Sequence, residues 1–118
     1  MAIADIYENE TEAANADTWV KIVDLGANKQ GLIYGRITHG GGDAKADIEL
    51  CLSDGDTPPT DDDWHLQSRS GVASGVAVGI GQGRPIPLKA GRTLWMRSTV
   101  APTHAHMFAS AIETVGGA

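Results

Sequence analysis

The densest group of residues that could bind a metal ion is an acidic loop between Asp54 and Asp63, which holds five carboxylates in ten residues. Ca²⁺ takes about six to eight oxygen ligands, and flexible loops rich in Asp often supply them. This loop lacks the spaced ligands, the central glycine and the closing glutamate of the EF-hand. Pro58 and Pro59 stiffen it, and Asp is an ordinary turn residue. We therefore predict a solvated turn at residues 54–63, with Ca²⁺ binding as the open alternative.

Two histidines near the C-terminus, His104 and His106, share one face of a predicted strand, a spacing that some zinc sites use. A third ligand would have to come from His39, His65 or an aspartate elsewhere in the chain. The sequence does not indicate one. We therefore predict that the two imidazoles lie on the surface or at a subunit contact, and that the protein has no metal site and no cofactor.

No other pattern indicates catalysis. Cys51 is the only cysteine, which excludes an internal disulfide, and the negative charges of Asp47 and Glu49 on the same strand face disfavour a reactive thiolate. The glycine-rich residues 79–83 are followed by Arg84-Pro-Ile-Pro, which cannot begin the helix that a dinucleotide-binding loop requires. The chain also lacks a G-x-S-x-G serine and a glutamate pair spaced for glycosidase chemistry. We predict that the protein is not an enzyme.

The formal charge of −6 is unevenly distributed along the chain. Residues 1–63 carry 14 acidic and four basic side chains, whereas residues 64–118 carry one acidic and five basic ones. Phosphate neutralisation by Lys and Arg supplies most nucleic-acid affinity, so this acidic chain is not expected to bind nucleic acid. No run approaches the ~20 apolar residues of a membrane span, and the first residues lack the pattern of a secretory signal. The opposite charges of the two halves could attract each other within one sandwich or between copies of the protein.

The elements that position these residues are short and extended. A chain of 118 residues with 15 glycines and 5% aromatic residues suits many short strands joined by tight turns. Strands are predicted at residues 18–25, 31–38, 45–53, 72–80, 92–99 and 104–114, with further short strands at 64–69 and 2–7. Residues 8–17 are polar throughout, which predicts a loop or an arm.

The resulting fold prediction is all-β. We expect a single antiparallel β-sandwich, Ig-like or jelly-roll-like, of about seven or eight strands at residues 18–118, preceded by an extended N-terminal arm or edge segment at 1–17. The predicted core residues are Ile48, Leu50, Leu52, Leu94 and Met96.

Two of the predicted strands should contact something besides the core. Strand 104–114 carries apolar residues on both faces, with Phe108 and Ile112 on the face opposite the core. Strand 72–80 has one side that is nearly without side chains. In a one-domain sandwich the cover for these second faces must come from a loop, the N-terminal arm or another subunit.

Several short motifs resemble those of a known class of proteins. The stretch from Ile86 to Thr99 (IPLKAGRTLWMRST), followed by a final strand that reaches Glu113, resembles the C-terminal half of small β-sandwich virion proteins of tailed bacteriophages. Residues 52–64 (LSDGDTPPTDDDW) are similar to their Ser, Thr-Pro and Asp-Asp-Tyr/Trp loop, and residues 7–9 (YEN) resemble their opening Tyr-x-Asn. The resemblance covers most of residues 5–115.

The resemblance implies an immunoglobulin-like sandwich without enzymatic activity, located in a virion that is assembled in the bacterial host cytoplasm. We expect a capsid decoration (cement) protein that binds the major capsid protein or other virion proteins and forms a homo-oligomer. The alternative is a tail, baseplate or fibre component with a receptor- or carbohydrate-binding sandwich. No nucleic-acid or membrane partner is expected. The candidate assembly contacts are Asp5, Glu8, Glu10, Glu12, Arg84, Arg92, Arg97, His104, His106 and Phe108.

Overall fold

The computed structural model describes residues 4–60 and 64–113. These residues form nine strands: β1 (Ala4–Ala13), β2 (Val20–Asp24), β3 (Lys29–His39), β4 (Ala46–Asp54), β5 (Trp64–Val72), β6 (Val78–Ile80), β7 (Ile86–Leu88), β8 (Arg92–Ser98) and β9 (Thr103–Glu113). The strands build two antiparallel sheets that enclose one core. This arrangement confirms the predicted all-β sandwich. The described residues contain no helix, and so none that could span a membrane.

The five-stranded sheet has the order β1, β9, β3, with β6 and β7 both paired to the far edge of β3. Strand β6 pairs with Gly35–Ile37 and β7 pairs with Gly31–Ile33, so the two are consecutive parts of one interrupted edge strand. At the interruption Gly81 adopts a φ of +63°, and a Cβ there would lie 2.8 Å from the carbonyl oxygen of Ile33. Only glycine fits this position without strain.

The four-stranded sheet has the order β2, β8, β4, β5. The inward-facing residues of β4 and β8 form the centre of the core, as their alternation predicts. Four of the five predicted core residues are fully buried, and Leu52 is half-buried and packs against them. Cys51 and Trp95, on the outer side of the same two strands, are also buried.

The described part of the acidic loop, residues 54–60, is hydrogen-bonded to the outer side of the same two strands. The hydroxyl of Thr93 donates to the carbonyl oxygen of Gly55 at 2.7 Å, and Trp95 Nε1 donates to the Thr93 hydroxyl at 2.8 Å. The hydroxyl of Ser53 donates to the carbonyl oxygen of Thr57 at 2.6 Å. The loop therefore folds back over the outer side of β4 and β8.

Two expectations for individual segments were wrong. The predicted strand 72–80 is interrupted, because β5 ends at Val72 and residues 73–77 turn the chain from one sheet to the other. The turn is closed by a hydrogen bond from the Val76 amide to the carbonyl oxygen of Ala73 at 3.2 Å. Gly75, at a φ of +78°, donates its amide to the carbonyl oxygen of His39 at 3.0 Å and so attaches the turn to the end of β3. The small side chains of this segment thus belong to a turn and not to a sheet face. In addition, residues 8–13 are not a loop.

Residues 8–13 belong to β1, which pairs with β9 from Ala4 to Ala13. The polar composition is compatible with a strand because β1 lies at the edge of the sheet. One side of the strand faces solvent, where charged residues are favoured. The segment beyond it, residues 14–19, connects β1 to β2 in the other sheet.

Candidate functional site

The outward-pointing residues of β1, β9 and β3 form a continuous surface, which we call the outer face. Successive side chains of a strand point to opposite sides of a sheet, so every second residue of each strand belongs to it. The registers of the two strand pairs align these residues in rows across the sheet. The rows are Ile6 with Ser110 and Leu32; Glu8 with Phe108 and Tyr34; Glu10 with His106 and Arg36; Glu12 with His104 and Thr38.

One half of the outer face is apolar and exposed. Ile6 is 87% exposed, Leu32 51%, Tyr34 42% and Ile112 45%. These are four of the six large hydrophobic side chains that are exposed in the described part of the chain. Single exposed hydrophobic residues are ordinary, but a contiguous group on one sheet face is typical of an interaction surface.

Three rings lie side by side at the centre of the outer face. The ring centres of Phe108 and Tyr34 are 5.5 Å apart with an interplanar angle of 19°, and those of Phe108 and His106 are 4.5 Å apart and tilted by 31°. Both separations are in the range where aromatic pairs attract each other. The rings thereby restrain one another and present a firm, partly apolar platform.

The other half of the outer face is charged. His106 Nε2 lies 2.8 Å from Glu8 Oε1, and His106 Nδ1 lies 3.5 Å from Glu10 Oε1. Arg36, on the opposite side of β9, is exposed and makes no ion pair with the described residues. A shallow pocket of about 460 Å³ lies here, lined by Glu10, Glu12, Arg36, Thr38, His104 and His106 among others. The arrangement can bind polar or charged groups of a partner.

The structure brings six of the ten predicted contact residues together on the outer face: Glu8, Glu10, Glu12, His104, His106 and Phe108. The side chain of Asp5 lies outside the described part of the structure. Arg84 is exposed in the segment between β6 and β7, and Arg92 and Arg97 lie on the other sheet.

The two arginines of β8 already have partners within the chain. Arg97 Nη2 donates to both carboxylate oxygens of Glu49 at 3.1 Å, and its guanidinium carbon lies 4.5 Å from the centre of a Trp19 ring. Arg92 Nε lies 3.0 Å from Asp54 Oδ1. These contacts attach β8 to β4 and to the acidic loop. Arg92 and Arg97 would have to give up these partners in order to bind the acidic segment of a neighbouring copy.

The outer face contains residues that sequence reasoning missed, namely Leu32, Tyr34 and Arg36 of β3. Their alternation with Ile33, Gly35 and Ile37 is visible in the sequence and indicates that they point away from the core. The sequence does not show that these residues lie beside His106 and Phe108, because β3 pairs with β9, which lies more than sixty residues further along the chain.

A separate charged cluster surrounds Lys21 at the edge of the four-stranded sheet. Lys21 forms ion pairs with Asp24, at 2.9 Å, and with Asp56 of the acidic loop. The hydrogen bond from Lys21, assisted by the Gly26 amide, lowers the pKa of Asp24, while hydrogen bonds to Asp56 and Asp24 raise the pKa of Lys21. These pairs tie the loop to β2.

No metal centre is formed by the part of the chain that the structure describes, since no three His, Cys, Asp or Glu side chains there are grouped to hold an ion. Asp54 and Asp56 of the acidic loop instead face Arg92 and Lys21. The remaining acidic residues of the loop, 61–63, lie outside the described residues.

Comparison with known proteins gives a likeness in fold and none in sequence. No protein-family model matches the chain, and no curated protein matches it at a significant level. A chain from a structure of Bacillus endospore appendages, described as a novel family of disulfide-linked pili, has a TM-score of 0.54 and 11% identity, covering 98% of this chain and 92% of that chain. This likeness shows a shared β-sandwich fold. The single cysteine of the present chain, Cys51, is buried.

A chain from the structure of infectious bursal disease virus, Gx strain, has a TM-score of 0.43 and 9% identity, covering all of this chain. The present chain spans about a third of that one, 32% of its length. A likeness at this level supports no inference about fold or function.

Proposed function

We propose that the protein is a non-enzymatic structural subunit of an assembled particle and that it assembles through the outer face. The observation that carries this proposal is the unpartnered outer face. The core is complete without it, yet Ile6, Leu32, Tyr34 and Ile112 remain exposed beside a row of charged groups. An exposed apolar group with a polar rim is typical of a protein interface.

The fold likeness to a pilus subunit supports the class of structural subunit, because that chain is itself part of a fibre-like appendage. Fold alone does not determine function, so the outer face and not the likeness carries the proposal.

In its specific form, the proposal is that the particle is the virion of a tailed bacteriophage. The chain is then a capsid decoration, or cement, protein that binds the major capsid protein and stabilises the head lattice. The motifs in residues 86–99 and 52–64 support this form, since they resemble those of small β-sandwich virion proteins.

The test is the presence and placement of the protein in purified particles. Mass spectrometry of virions, followed by cryo-electron microscopy, is expected to find the sandwich in stoichiometric amounts on the head. Its absence from purified virions would refute the phage assignment, and its presence only in the tail would favour the alternative.

A pair of matched variants tests the outer face itself. Leu32 and Val76 are 51% and 52% exposed, but only Leu32 lies on the outer face. We expect Leu32→Asp to lower occupancy on particles and Val76→Asp to leave it unchanged. Equal occupancy for both variants would show that the outer face is not an assembly surface.

A second candidate is a tail, baseplate or fibre component that binds a receptor or a carbohydrate. The ring platform of Phe108 and Tyr34 favours it, because it borders a pocket with carboxylates and Arg36. Sugars place C–H groups on ring faces and hydroxyls on charged side chains, and binding sites commonly combine such surfaces. A titration with host-surface oligosaccharides, followed by NMR, is expected to shift the Tyr34 and Phe108 resonances if this candidate is correct.

A further inference from the structure

We propose that the outer face binds the outer face of a second copy. The two copies are related by a two-fold axis that lies between their facing five-stranded sheets and runs close to the direction of β9. This inference rests on the proposed function, because it names the partner of the assembly surface. It follows from the way in which apolar and charged residues are ordered on the face.

The symmetry decides which residues meet. A two-fold axis along β9 keeps each row at its own level and exchanges the two flanks, so β1 of one copy lies over β3 of the other. The rows themselves are fixed by the register of the described strands. Every contact between two different residues at such an interface occurs twice.

The apolar rows then face each other. Ile6 of one copy lies over Leu32 of the second, and Phe108 lies close to the axis and meets its own counterpart. Tyr34, stacked on Phe108, lies opposite Glu8 of the other copy, at the flank of the interface. The exposed apolar side chains of each copy thus lose contact with water, and apolar burial is the main source of stability at such an interface.

The charged rows are complementary under the same operation. Glu10 on β1 of one copy faces Arg36 on β3 of the second, at the level of His106. Arg36 has no ion pair with the described residues of its own chain, and the Glu10 side chain is 78% exposed. Glu8 and Glu10 sit beside His106 of the same chain, so the imidazole at the axis has its own negative neighbours.

A two-fold axis that also lies in the plane of the interface but runs across the strands is disfavoured by the order of the rows. An axis perpendicular to the strands would place β1 over β1 and reverse the order of the rows. With the axis at the level of Glu8, the Glu10 side chain would face the apolar Ile6 of the second copy. With the axis at the level of Glu10, Glu10 would face its own counterpart and Glu8 would face Glu12. Like charges opposed in this way cost free energy and select against that arrangement.

The size of the outer face is adequate for a dimer. The eleven residues of β9 span about 35 Å at roughly 3.4 Å per residue, and the neighbouring strands add about 4.8 Å each in width. The three strands of the outer face are therefore about 14 Å wide, and β6 and β7 at the edge of β3 widen this side of the sheet to about 19 Å. An area of about 35 Å by about 19 Å is roughly 670 Å², within the ~600–1,000 Å² per partner that specific interfaces bury.

The experiment uses two single charge reversals, Glu10→Arg and Arg36→Glu, in the full chain. Each homodimer would oppose like charges twice, so we expect each variant to self-associate at least about tenfold more weakly than the wild type. An equimolar mixture of the two restores opposite charges at both contacts. The mixture is therefore expected to form heterodimers, and a chain that carries both substitutions is expected to dimerise with itself.

The measurement is sedimentation velocity of the wild type, each variant, the mixture and the double variant, over micromolar to submillimolar concentrations. Circular dichroism of each variant checks that it is folded, which is expected because both side chains are exposed. A second pair, Leu32→Lys and Val76→Lys, tests the apolar rows, because Leu32 faces only the apolar Ile6 of the second copy and Val76 is equally exposed outside the outer face. Only Leu32→Lys is expected to reduce dimerisation.

Two results would overturn the inference: a wild type that stays monomeric at the highest concentration, or single variants that dimerise as the wild type does while the mixture shows no preference for heterodimers. Either result leaves the proposed function standing if the protein is found on particles. Conversely, a dimer with this charge pattern that is absent from particles would refute the function and leave the interface intact.

Discussion

Replacing Gly35 with alanine tests how closely β3 and β9 must approach to build the outer face. Gly35 points toward the core from the middle of β3. A Cβ at this position would overlap the carbonyl oxygen of His106 and lie 2.9 Å from the Cα of Met107. It would also lie 2.6 Å from Met107 Sδ, but that side chain can move, whereas the backbone of β9 can yield only if the two strands separate.

Two opposing effects determine the size of the change. Gly→Ala restricts the unfolded chain and by itself stabilises by about 0.4–1 kcal/mol. Forcing an extra carbon into a packed site costs about 1–3 kcal/mol, and here the atoms that must yield are backbone. We expect the steric cost to prevail and the free energy of unfolding to fall by about 2 kcal/mol, a large share of the ~5–15 kcal/mol typical of a domain.

Equilibrium urea denaturation measures this change directly. With an m-value of about 2 kcal/mol per molar urea, the midpoint is expected to fall by about 1 M. Gly83→Ala is the matched control, because a Cβ at Gly83 meets nothing within 4 Å and its φ is not in the left-handed region. The control should be neutral or slightly stabilised. The reasoning is refuted if Gly35→Ala unfolds at the same urea concentration as Gly83→Ala.

Three further predictions concern the core, one ion pair and metal binding. Leu50→Ala is expected to lower the free energy of unfolding by ~2–5 kcal/mol, since Leu50 is 1% exposed at the centre of the core; a loss below about 1 kcal/mol in urea denaturation would contradict full packing. The lowered pKa of Asp24 means that its contribution to stability is present above its ordinary pKa and is lost as the pH falls through the lowered value. The melting temperature of the wild type is therefore expected to exceed that of Asp24→Asn near neutral pH, and the difference is expected to shrink as the pH falls below the ordinary aspartate pKa of about 3.9. A difference that widens on acidification would contradict the assignment. Melting in EDTA, and then in excess Ca²⁺ or Zn²⁺, is expected to leave the melting temperature unchanged, whereas a specific rise with Ca²⁺ would show that residues 54–63 bind it.

The sequence allowed the fold class and the central strands to be predicted, because β4 and β8 carry clear alternation against a one-sided core. It failed at 72–80, where β-branched residues on both sides of a turn look like one continuous strand. The glycines of this segment suggest a strand face without side chains, but Gly75 adopts the positive φ that the turn requires. The edge strand β1 was missed over residues 8–13 because an edge strand that faces solvent needs little apolar pattern.

The candidate site was predictable only in part. The apolar residues on the second face of β9 were visible, and they led to Phe108 and the two histidines. Arg92 and Arg97 were included because of the charge asymmetry between the two halves. Their actual neighbours, Asp54 and Glu49, belong to adjacent parts of the same sheet, and such pairings depend on strand order that one sequence does not specify.

The two sides of the sandwich differ in how much apolar surface they expose. On the four-stranded side, the acidic loop accepts hydrogen bonds from Ser53 and Thr93, and the Arg97–Glu49 pair with Trp19 occupies part of the remaining surface. On the five-stranded side, no described loop folds over Tyr34 and the residues around it, which stay exposed. Because burying the remaining apolar surface is favourable, a partner gains most by approaching from the five-stranded side. The acidic loop, which first suggested a cation site, is instead held against the four-stranded sheet by Ser53, Thr93 and Lys21.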